Sequence, residues 1–382
     1  MKRRLVILTE IIAPYRIPVL NALAQDPNVD PYVIFLSETD PSLRQWKIYR
    51  DEICFDYAVL SSWRRRIGKH CLLLNRGLNA VLDRVRPDAI VCGGYNYLAA
   101  WTASRWAWRM GVPLLLWSES TMQDQRSGRG IVEFLKRQFV RRCDAFVVPG
   151  KSARAYLHAL GAQERDIVTA PNAVDIRFFS NAVPASQSGS ERCEEFGLPE
   201  RYFLYVGRLV TEKGIFELLH AYAKLEPAIR ATVGLIFVGD GVQKEELMRR
   251  IAQMSLGKVQ CLGFLQREDL AAVYSGAEAL VLPTHSDTWG LVVNEAMACG
   301  LPVITTTVAG CAADLVEDSV NGFLICPGDT AELSSAMARL VCDPRRQREM
   351  GSRARERIQA YSPEACASGI AQAVNSLWGV CA

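Results

Sequence analysis

The sequence lacks several patterns that mark common classes of protein. Its 12 cysteines are scattered and form no C-x-x-C pair, which argues against a zinc site and a disulfide framework and favours a reducing compartment. No G-x-G-x-x-G follows the first apolar run, so a dinucleotide-dependent dehydrogenase is not expected. No internal repeat of fixed short period is visible, which argues against a repeat architecture.

Long hydrophobic runs are also missing. The most apolar long window, residues 97–117, contains Arg105, Arg109 and Pro113, so it predicts no transmembrane helix. The beginning Met-Lys-Arg-Arg before an apolar run resembles a signal peptide, but Glu10 interrupts the run and a strand is the better interpretation. We therefore expect a cytoplasmic protein.

The composition is that of a globular chain with an uneven charge distribution. Its 382 residues are 49% hydrophobic and 22% charged, which predicts two or three domains with ample core. The net charge of +3 conceals an asymmetry between the two halves. Residues 1–180 carry 26 Lys and Arg against 17 Asp and Glu, a net +9, whereas residues 181–382 carry 18 against 24, a net −6. The halves therefore differ enough to suggest different partners.

Strand-like and helix-like segments alternate twice, on either side of a polar linker at 181–190. The predicted strands are 4–9, 31–37, 55–60, 88–92, 113–117, 144–148 and 167–170, then 202–206, 233–238, 259–264, 279–283 and 302–306. The predicted helices are 14–25, 72–85, 96–110, 130–142 and 152–160, then 215–225, 244–253, 268–275 and 291–299. Such alternation predicts two parallel sheets, each covered by helices.

Basic residues are mixed with tryptophan in the first half. They cluster at 63–70, in helix 96–110 (Trp101, Arg105, Trp106, Trp108, Arg109) and in helix 130–142 (Lys136, Arg137, Arg141, Arg142). This mixture is typical of a bilayer interface, and equally of solvated helix faces with tryptophans in the core. Nucleic acid is not expected as a partner, because no recognition motif is present.

The second half contains a candidate anion site. Loop 285–290 follows a predicted strand and precedes helix 291–299, so it lies where open α/β sheets bind ligands. The N–H groups of Gly290, Leu291 and Val292 open that helix without intrahelical partners, and with the helix dipole they can bind an anion.

Four charged residues accompany this anion site. Arg208 and Lys213 flank another strand-to-helix turn, where two cations can clamp a phosphate; surface charge is the alternative. Asp287 and Glu295 would repel a phosphate, but they accept hydrogen bonds from hydroxyls, so a sugar on each side of a phosphate would satisfy both. The alternative is a helix cap by Asp287 and a solvated Glu295.

Four segments carry a resemblance to a known family. They are G-R-L-V-T-E-K-G at 207–214, G-D-G at 239–241, P-N-A-V-D at 171–175 and the run from Asp287 through E-A-M-A-C-G-L-P-V at 295–303. They resemble the retaining glycosyltransferases of family 4 (GT4). The resemblance implies the GT-B fold: two Rossmann-like, doubly wound α/β domains facing across a cleft, with the donor on the C-terminal domain and the acceptor on the N-terminal one.

The resemblance also implies roles for the four charged residues. Arg208 and Lys213 resemble the family's diphosphate-binding pair, and Glu295 matches the glutamate that holds the nucleotide ribose. Asp287 takes the place of the first glutamate of the family's E-x7-E motif, which contacts the donor sugar. Aspartate is one methylene shorter than glutamate, so the identity of the sugar is left open.

Other family features match more loosely. The backbone at 263–265 would meet the nucleotide base, which makes Phe264 and Leu265 candidate donor-binding residues. Glu119 stands near the place where the family often has a histidine, and it is a candidate catalytic residue. The family's Gly-Gly loop after the first strand has no counterpart, since residues 10–16 contain no glycine.

The resemblance implies a metal-independent hexosyltransferase without a cofactor, which uses a UDP- or GDP-sugar and retains configuration. The expected acceptor is a lipid-linked or cell-surface glycan intermediate, reached by a cytoplasmic protein peripheral to the inner face of the cell membrane, an anionic surface. The expected domains are an acceptor domain at 1–180, joined by a returning helix within 363–382, and a donor domain at 191–362.

Three alternatives stay open. A sugar-nucleotide epimerase of the same architecture would use the donor without an acceptor. A phosphorylase would need a pyridoxal lysine, for which no motif is present. A non-catalytic nucleotide-sugar sensor or membrane scaffold is the alternative from a different class, and it is favoured if Asp287 marks the loss of a catalytic residue.

Overall fold

A computed structural model describes residues 2–40, 45–67, 70–124, 130–181 and 195–378; most of the predicted linker at 181–190 lies outside them. The chain divides into a first unit, residues 1–174 with 362–382, and a second unit, residues 175–361. The first boundary precedes the predicted one at 180. Phe179 packs edge-to-face against Tyr274, and Ser180 donates a hydrogen bond to the carbonyl of Ala298, so this segment belongs to the second unit.

The first unit contains a seven-stranded parallel sheet and a separate hairpin. Its strands are β1 (Arg3–Thr9), β2 (Val29–Phe35), β3 (Asp56–Val59), β4 (Ser61–Ile67), β5 (His70–Arg76), β6 (Ala89–Cys92), β7 (Leu114–Trp117), β8 (Ala145–Val148) and β9 (Ile167–Thr169). The sheet order is β3-β2-β1-β6-β7-β8-β9, and β4 pairs with β5 antiparallel. Strands β6, β7 and β8 are buried throughout, as expected of a parallel sheet covered on both faces.

Between residues 2 and 174, the described part of the first unit contains five α-helices. They are α1 (Ile17–Ala24), α2 (Leu78–Val85), α3 (Leu98–Met110), α4 (Gly130–Val140) and α5 (Lys151–Leu160). Buried residues of α2 to α5 share one core with one face of the sheet, and α1 contributes to the core on the other face.

The helix predicted at 72–85 is wrong in its first part. Residues 70–76 form β5, in which Leu73 is buried while Leu72 and Leu74 are exposed, the period of two expected of a strand. Gly77, at φ +84°, then turns the chain into α2. Three successive leucines suit either structure, and the pairing with β4 decides between them.

The predicted basic clusters are partly interior. Trp106 is buried and donates its indole N–H to Asp83 at 2.8 Å, and the buried Lys136 ammonium donates to the hydroxyl of Tyr156 at 2.6 Å. Trp108, by contrast, is 83% exposed. The buried Trp106 agrees with the alternative that places tryptophans in the core, whereas the buried Lys136 does not belong to a solvated helix face.

The second unit contains a six-stranded parallel sheet. Its strands are β10 (Tyr202–Val206), β11 (Gly234–Val238), β12 (Val259–Gly263), β13 (Ala279–Leu282), β14 (Val303–Thr306) and β15 (Gly322–Ile325). Its helices are α6 (Ile176–Asn181), α7 (Ile215–Ala223), α8 (Pro227–Thr232), α9 (Lys244–Gln253), α10 (Arg267–Ser275), α11 (Leu291–Ala298), α12 (Ala312–Leu315), α13 (Thr330–Cys342) and α14 (Pro344–Ile358). The predicted parallel α/β sheets are confirmed in both units.

The strand order of the second unit creates a switch point. The order is β12-β11-β10-β13-β14-β15, so β10 has β11 on one side and β13 on the other. The chain passes from β10 outward to β11 and β12 and then crosses back to β13 on the other side of β10, and the loops after β10 and β13 open at the same edge. Ligands bind at this position in open α/β sheets.

The last helix, α15 (Pro363–Ser376), belongs to the first unit. Ser362 caps its N-terminus by accepting from the amide of Ala365 at 3.2 Å. Cys366 and Ile370 are buried in the same core as α1. A Cβ at Gly369 would collide with the carbonyl oxygen of Thr169, so glycine lets this helix lie against the end of β9. Across the described ranges, no helix combines the length and the apolar character that a membrane crossing requires.

Candidate functional site

The loops after β10 and β13 are fixed to each other. His285 donates its amide to the carbonyl of Glu212 at 2.9 Å, and the hydroxyl of Thr284 donates to the same oxygen at 3.1 Å. Gly214 adopts φ +69°, and a Cβ there would collide with the carbonyl oxygen of Pro283. Only glycine permits both this conformation and this close approach.

The G-D-G segment supports the same edge from the next strand. A Cβ at Gly239 would collide with the carbonyl oxygen of Gly207, and one at Gly241 with that of Leu209. The loop after β11 therefore packs by its backbone against the loop after β10. Its glycines position the segment that carries Arg208.

The N-terminus of α11 has the geometry of the anion site predicted from the sequence. Gly290 is its N-cap, at φ +97°, and no side chain of the described residues caps it. The amides of Gly290, Leu291 and Val292 lie in the first turn, where the helix offers no acceptor. Asp287 instead accepts from the amide of Trp289, which precedes the helix, at 3.4 Å. The helix-cap alternative for Asp287 is therefore not what the structure contains.

Lys213 and Asp287 form an ion pair. The ammonium of Lys213 lies 2.5 Å from Oδ2 of Asp287 and 3.1 Å from the carbonyl oxygen of Ser286. The two charged side chains are only 11% and 17% exposed. An ammonium has three donors, so these two acceptors leave one for a further partner.

Arg208 is an exposed cation beside this pair. Among the residues that the structure covers, its guanidinium has no ion pair and no hydrogen bond, and its carbonyl accepts from the hydroxyl of Tyr205 at 2.8 Å. Burial raises the pKa of Tyr205, the Asp287 carboxylate raises it further, and the Arg208 charge opposes both. Both charges therefore act on one buried phenol. Surface charge, the alternative for both residues, does not fit the ion-paired Lys213, whereas for the exposed Arg208 it stays open beside the phosphate clamp.

Glu295 lies one turn into α11 and is not a solvated carboxylate. The hydroxyl of Tyr274 donates to its Oε2 at 2.8 Å. Burial raises the pKa of Glu295 to about 7, although the Tyr274 hydrogen bond lowers it. This carboxyl group titrates near neutrality, a property that clusters at functional sites.

Phe264 and Leu265 follow β12 at the same edge of the sheet. Gly263, at φ +77°, accepts from the amide of Gly239 at 2.7 Å, which joins this segment to the G-D-G loop. Strand β12 lies three positions from β13, about 14 Å at the usual strand spacing. Both side chains are half-buried.

Glu119, in the first unit, forms an ion pair with Arg16 at 2.6 Å. Arg16 follows β1 and Glu119 follows β7, and the guanidinium stacks on the Trp117 ring at 3.8 Å from its centroid. In the described part of the chain, Ser118 Oγ is buried without a hydrogen-bond partner.

Sequence reasoning missed Arg16 and Tyr274. Arg16 could have been found from its place in the loop after the first strand, at the carboxyl edge where ligands bind. No local signal marks Tyr274, which reaches Glu295 across 21 residues of chain. Where residues are described, no group of three or more His, Cys, Asp or Glu side chains is arranged to hold a metal ion.

Two family models match the chain. "Glycosyltransferase Family 4" matches residues 20–178, and "Glycosyl transferases group 1" matches residues 192–357. The chain is 31% identical over 298 residues to the 2-deoxystreptamine glucosyltransferase of Streptomyces kanamyceticus, and the aligned region covers 74% of each chain. It is also 31% identical over 250 residues to a sulfoquinovosyl transferase of Arabidopsis thaliana, covering 63% of this chain and 45% of that one. The chain spans between about half and three quarters of the length of these curated relatives.

A solved structure shows the same fold. The crystal structure of Anabaena HepE in complex with UDP and glucose superimposes with a TM-score of 0.77 at 20% identity, over 98% of this chain and 100% of that one. This likeness agrees with the two parallel α/β sheets described above. With both halves matched by family models, and with a relative above 30% identity over most of its length, the chain belongs to glycosyltransferase family 4 and has the GT-B fold.

Proposed function

We propose that the chain is a hexosyltransferase that moves a hexosyl group from a UDP- or GDP-sugar to an acceptor hydroxyl with retention of configuration. The proposal rests on the groups found at the carboxyl edge of the second unit's sheet. There the uncapped N-terminus of α11, the exposed Arg208 and the Lys213–Asp287 pair occur together. The curated relatives named as glucosyl and sulfoquinovosyl transferases support this class of reaction, and the UDP complex of HepE supports the class of donor.

The diphosphate is the part of the donor that these groups fit. Arg208, the third donor of Lys213 and the α11 amides would stabilise the charge that grows on the departing nucleoside diphosphate. Such donors accelerate transfer because their bonds are stronger in the transition state than with the intact donor. No metal ion is needed in this scheme.

The Lys213–Asp287 pair explains how a carboxylate can occupy an anion site. Lys213 neutralises Asp287 and can bridge it to a phosphate oxygen, which removes the repulsion between the two anions. Among the described residues, Oδ1 of Asp287 makes one long hydrogen bond, to Trp289, so it can accept from a hydroxyl of the donor sugar. Asp287 would thereby orient the sugar.

The remaining donor contacts follow along the same edge. Glu295 would accept hydrogen bonds from the ribose hydroxyls while Tyr274 holds its other oxygen. The backbone at Phe264 and Leu265 would meet the base. In the transfer step, the bond from the anomeric carbon to the diphosphate breaks, and a bond to the acceptor oxygen forms on the same face. The acceptor proton goes to a phosphate oxygen of the donor, so no protein nucleophile is required.

The first unit would supply the acceptor side. Glu119, held by Arg16, is proposed to contact the acceptor, and the buried Ser118 hydroxyl beside it supports a polar ligand there. The proposed acceptor is a lipid-linked or cell-surface glycan intermediate, reached at the inner face of the membrane. No observation among the described residues favours an epimerase, a phosphorylase or a sensor.

A donor panel tests the proposal. The purified chain is heated with UDP-, GDP- and dTDP-sugars, and one donor should raise the melting temperature, since ligand at 100 times its Kd adds about 2.7 kcal/mol of stability. Arg208→Ala should weaken this effect, while Arg353→Ala, which changes an exposed arginine elsewhere in the second unit, should keep it in full. NMR of the product should show the donor's anomeric configuration. A chain that no donor stabilises, or a product with inverted configuration, contradicts the proposal.

A further inference from the structure

Exposed apolar side chains are concentrated on the first unit. Of the 17 large hydrophobic side chains that are exposed among the described residues, 13 belong to the first unit and four to the second. Six of the 13 form two surfaces: Trp63, Leu72 and Leu74 on the β4–β5 hairpin, and Ile131, Phe134 and Leu135 on α4. We call these six residues the apolar rim. Contiguous exposed apolar surface usually marks an interaction site.

Both surfaces lie at the carboxyl edge of the sheet. On the inner face of the hairpin, Arg64 reaches Glu10 at 3.1 Å and also pairs with Asp40; these residues follow β1 and β2. In helix α4, Lys136 lies 5.9 Å from the ring centroid of Tyr95, which follows β6, so α4 also meets the edge where the strands end. Leu73 of the hairpin and Phe139 of α4 are buried in the same core. The rim is therefore on one edge and one face of the first unit.

The hairpin has two different faces. Trp63 pairs with Leu74, and Arg65 pairs with Leu72, so these four side chains project on the same side. Arg64 and Leu73 point to the opposite side, where Leu73 is buried. The outer face thus combines three exposed apolar side chains with two exposed arginines, Arg65 and Arg76, which pairs with Ser61.

Helix α4 is also two-faced. Ile131, Phe134 and Leu135 stand at i, i+3 and i+4 and are 79%, 58% and 46% exposed. On the opposite face Lys136 is buried and bonded to Tyr156 and Glu133, and Phe139 is fully buried. The helix is therefore held firmly, and its apolar outer face is not a result of loose packing.

Arginines continue the outer face of α4. Arg137 and Arg141 are exposed and follow Leu135 by two and six residues, with Arg141 directly after the end of α4. An apolar face followed by arginines is the pattern of a helix that lies in a lipid interface. The first half of the chain carries a net charge of +9, which complements an anionic surface.

We propose that the apolar rim docks the first unit on an anionic membrane surface, with its apolar side chains among the acyl chains and Arg65, Arg137 and Arg141 at the lipid phosphates. The loop with Ser118 and Glu119 lies at the same edge, so a lipid-linked acceptor in that membrane would reach it directly. This identification of the acceptor rests on the proposed function; the docking surface itself does not.

Trp108 provides a matched control. It is the most exposed tryptophan among the described residues, at 83%, and it lies near the other end of α3 from the carboxyl edge. Ten residues of helix separate it from the start of α3, about 15 Å. If any exposed tryptophan or arginine were enough to bind lipid, binding would depend on Trp108. If the apolar rim is responsible, binding does not depend on Trp108.

Vesicle flotation of the full chain tests the rim. Phosphatidylcholine vesicles with and without phosphatidylglycerol are compared at low and high salt. The wild type should float with anionic vesicles, and salt should weaken the binding. Phe134→Ser with Leu135→Ser, and separately Trp63→Ser, should each reduce binding by about tenfold or more, since an apolar side chain is removed from lipid in each. Trp108→Ser should bind like the wild type.

Two further measurements distinguish a loss of membrane binding from damage to the fold or to the donor site. Each variant should melt like the wild type and should keep its affinity for nucleoside diphosphate by calorimetry, which shows that the fold and the donor site are intact. No flotation of the wild type at low salt, or an equal loss in Trp108→Ser, overturns the docking surface. The docking surface is also overturned if the wild type is a dimer and the double variant Phe134→Ser, Leu135→Ser is a monomer. The rim would then bind protein. Flotation without any donor binding would leave the rim standing and refute the proposed function.

Discussion

The two units have the same kind of sheet and opposite kinds of surface. The first belongs to the positively charged half of the chain and exposes large apolar side chains at one edge, while the second belongs to the negatively charged half and exposes few. In the second unit the distinctive feature is a polar edge, where glycine-rich loops bring Arg208, Lys213 and Asp287 together. The comparison agrees with our two proposals, that the second unit binds a small charged donor and that the first docks on a membrane surface. Substitutions at the edge of one unit should therefore have consequences separate from those of substitutions at the edge of the other.

The largest expected effect is on the stability of the second unit. Gly214 and Gly111 share a left-handed conformation, at φ +69° and +67°, but a Cβ at Gly214 would collide with Pro283, whereas nothing lies near one at Gly111. Gly111→Ala should therefore cost only about 1–2 kcal/mol for its backbone conformation. Gly214→Ala should cost at least about 4 kcal/mol, because the two loops must separate. Denaturant unfolding measures both, and equal losses would show that the loop contact does not matter.

The next effect concerns the donor sugar. Asp287→Asn should reduce turnover of the nucleotide sugar by about 10- to 150-fold, since a hydrogen bond to a charged acceptor contributes about 1.5–3 kcal/mol. Binding of free nucleoside diphosphate should persist, because Lys213 is released from its ion pair and the diphosphate carries no sugar. Steady-state kinetics and calorimetry separate the two. Wild-type turnover in this variant would exclude a role for Asp287 at the sugar.

A smaller effect is the pH dependence that Glu295 adds to stability. Its raised pKa means that the folded chain binds a proton more tightly than the unfolded chain. The stabilisation that this raised pKa gives the folded chain is therefore complete below pH 4.5, the pKa of Glu295 in the unfolded chain. It is lost as the pH rises to about 7. Half-burial limits the change to about 2 kcal/mol. Glu295→Gln should remove this slope in urea titrations between these pH values, and an unchanged slope would assign it to another group.

The sequence predicted the second unit better than the first, for physical reasons. Gly290, Gly300 and Pro302 mark the ends of α11 locally, so the strand-loop-helix unit around the anion site was predicted correctly. The ion pairs Lys213–Asp287 and Arg16–Glu119 join residues 74 and 103 positions apart, and no local pattern specifies them. The β4–β5 hairpin was missed because its leucines fit a helix equally well until the partner strand is known.

Burial was the other quantity that the sequence did not determine. Trp106 and Lys136 look like neighbours of Trp108 and Arg137 along their helices, yet the first two are interior and the last two are at the surface. A period of 3.6 residues separates the two faces but does not tell which face meets the core when both carry tryptophan or charge. The apolar rim became apparent only when α4 was seen to turn Ile131, Phe134 and Leu135 outward.

The most direct test of the donor site is calorimetry on Arg208→Ala. Arg208 makes no ion pair among the described residues, so its removal should leave the folded chain unchanged and take away only its bond to the diphosphate. Titration with UDP and GDP should show affinity lower by about 10- to 150-fold than in the wild type, and Arg353→Ala should match the wild type. Equal affinity in Arg208→Ala and the wild type would contradict the assignment of this edge to the nucleoside diphosphate.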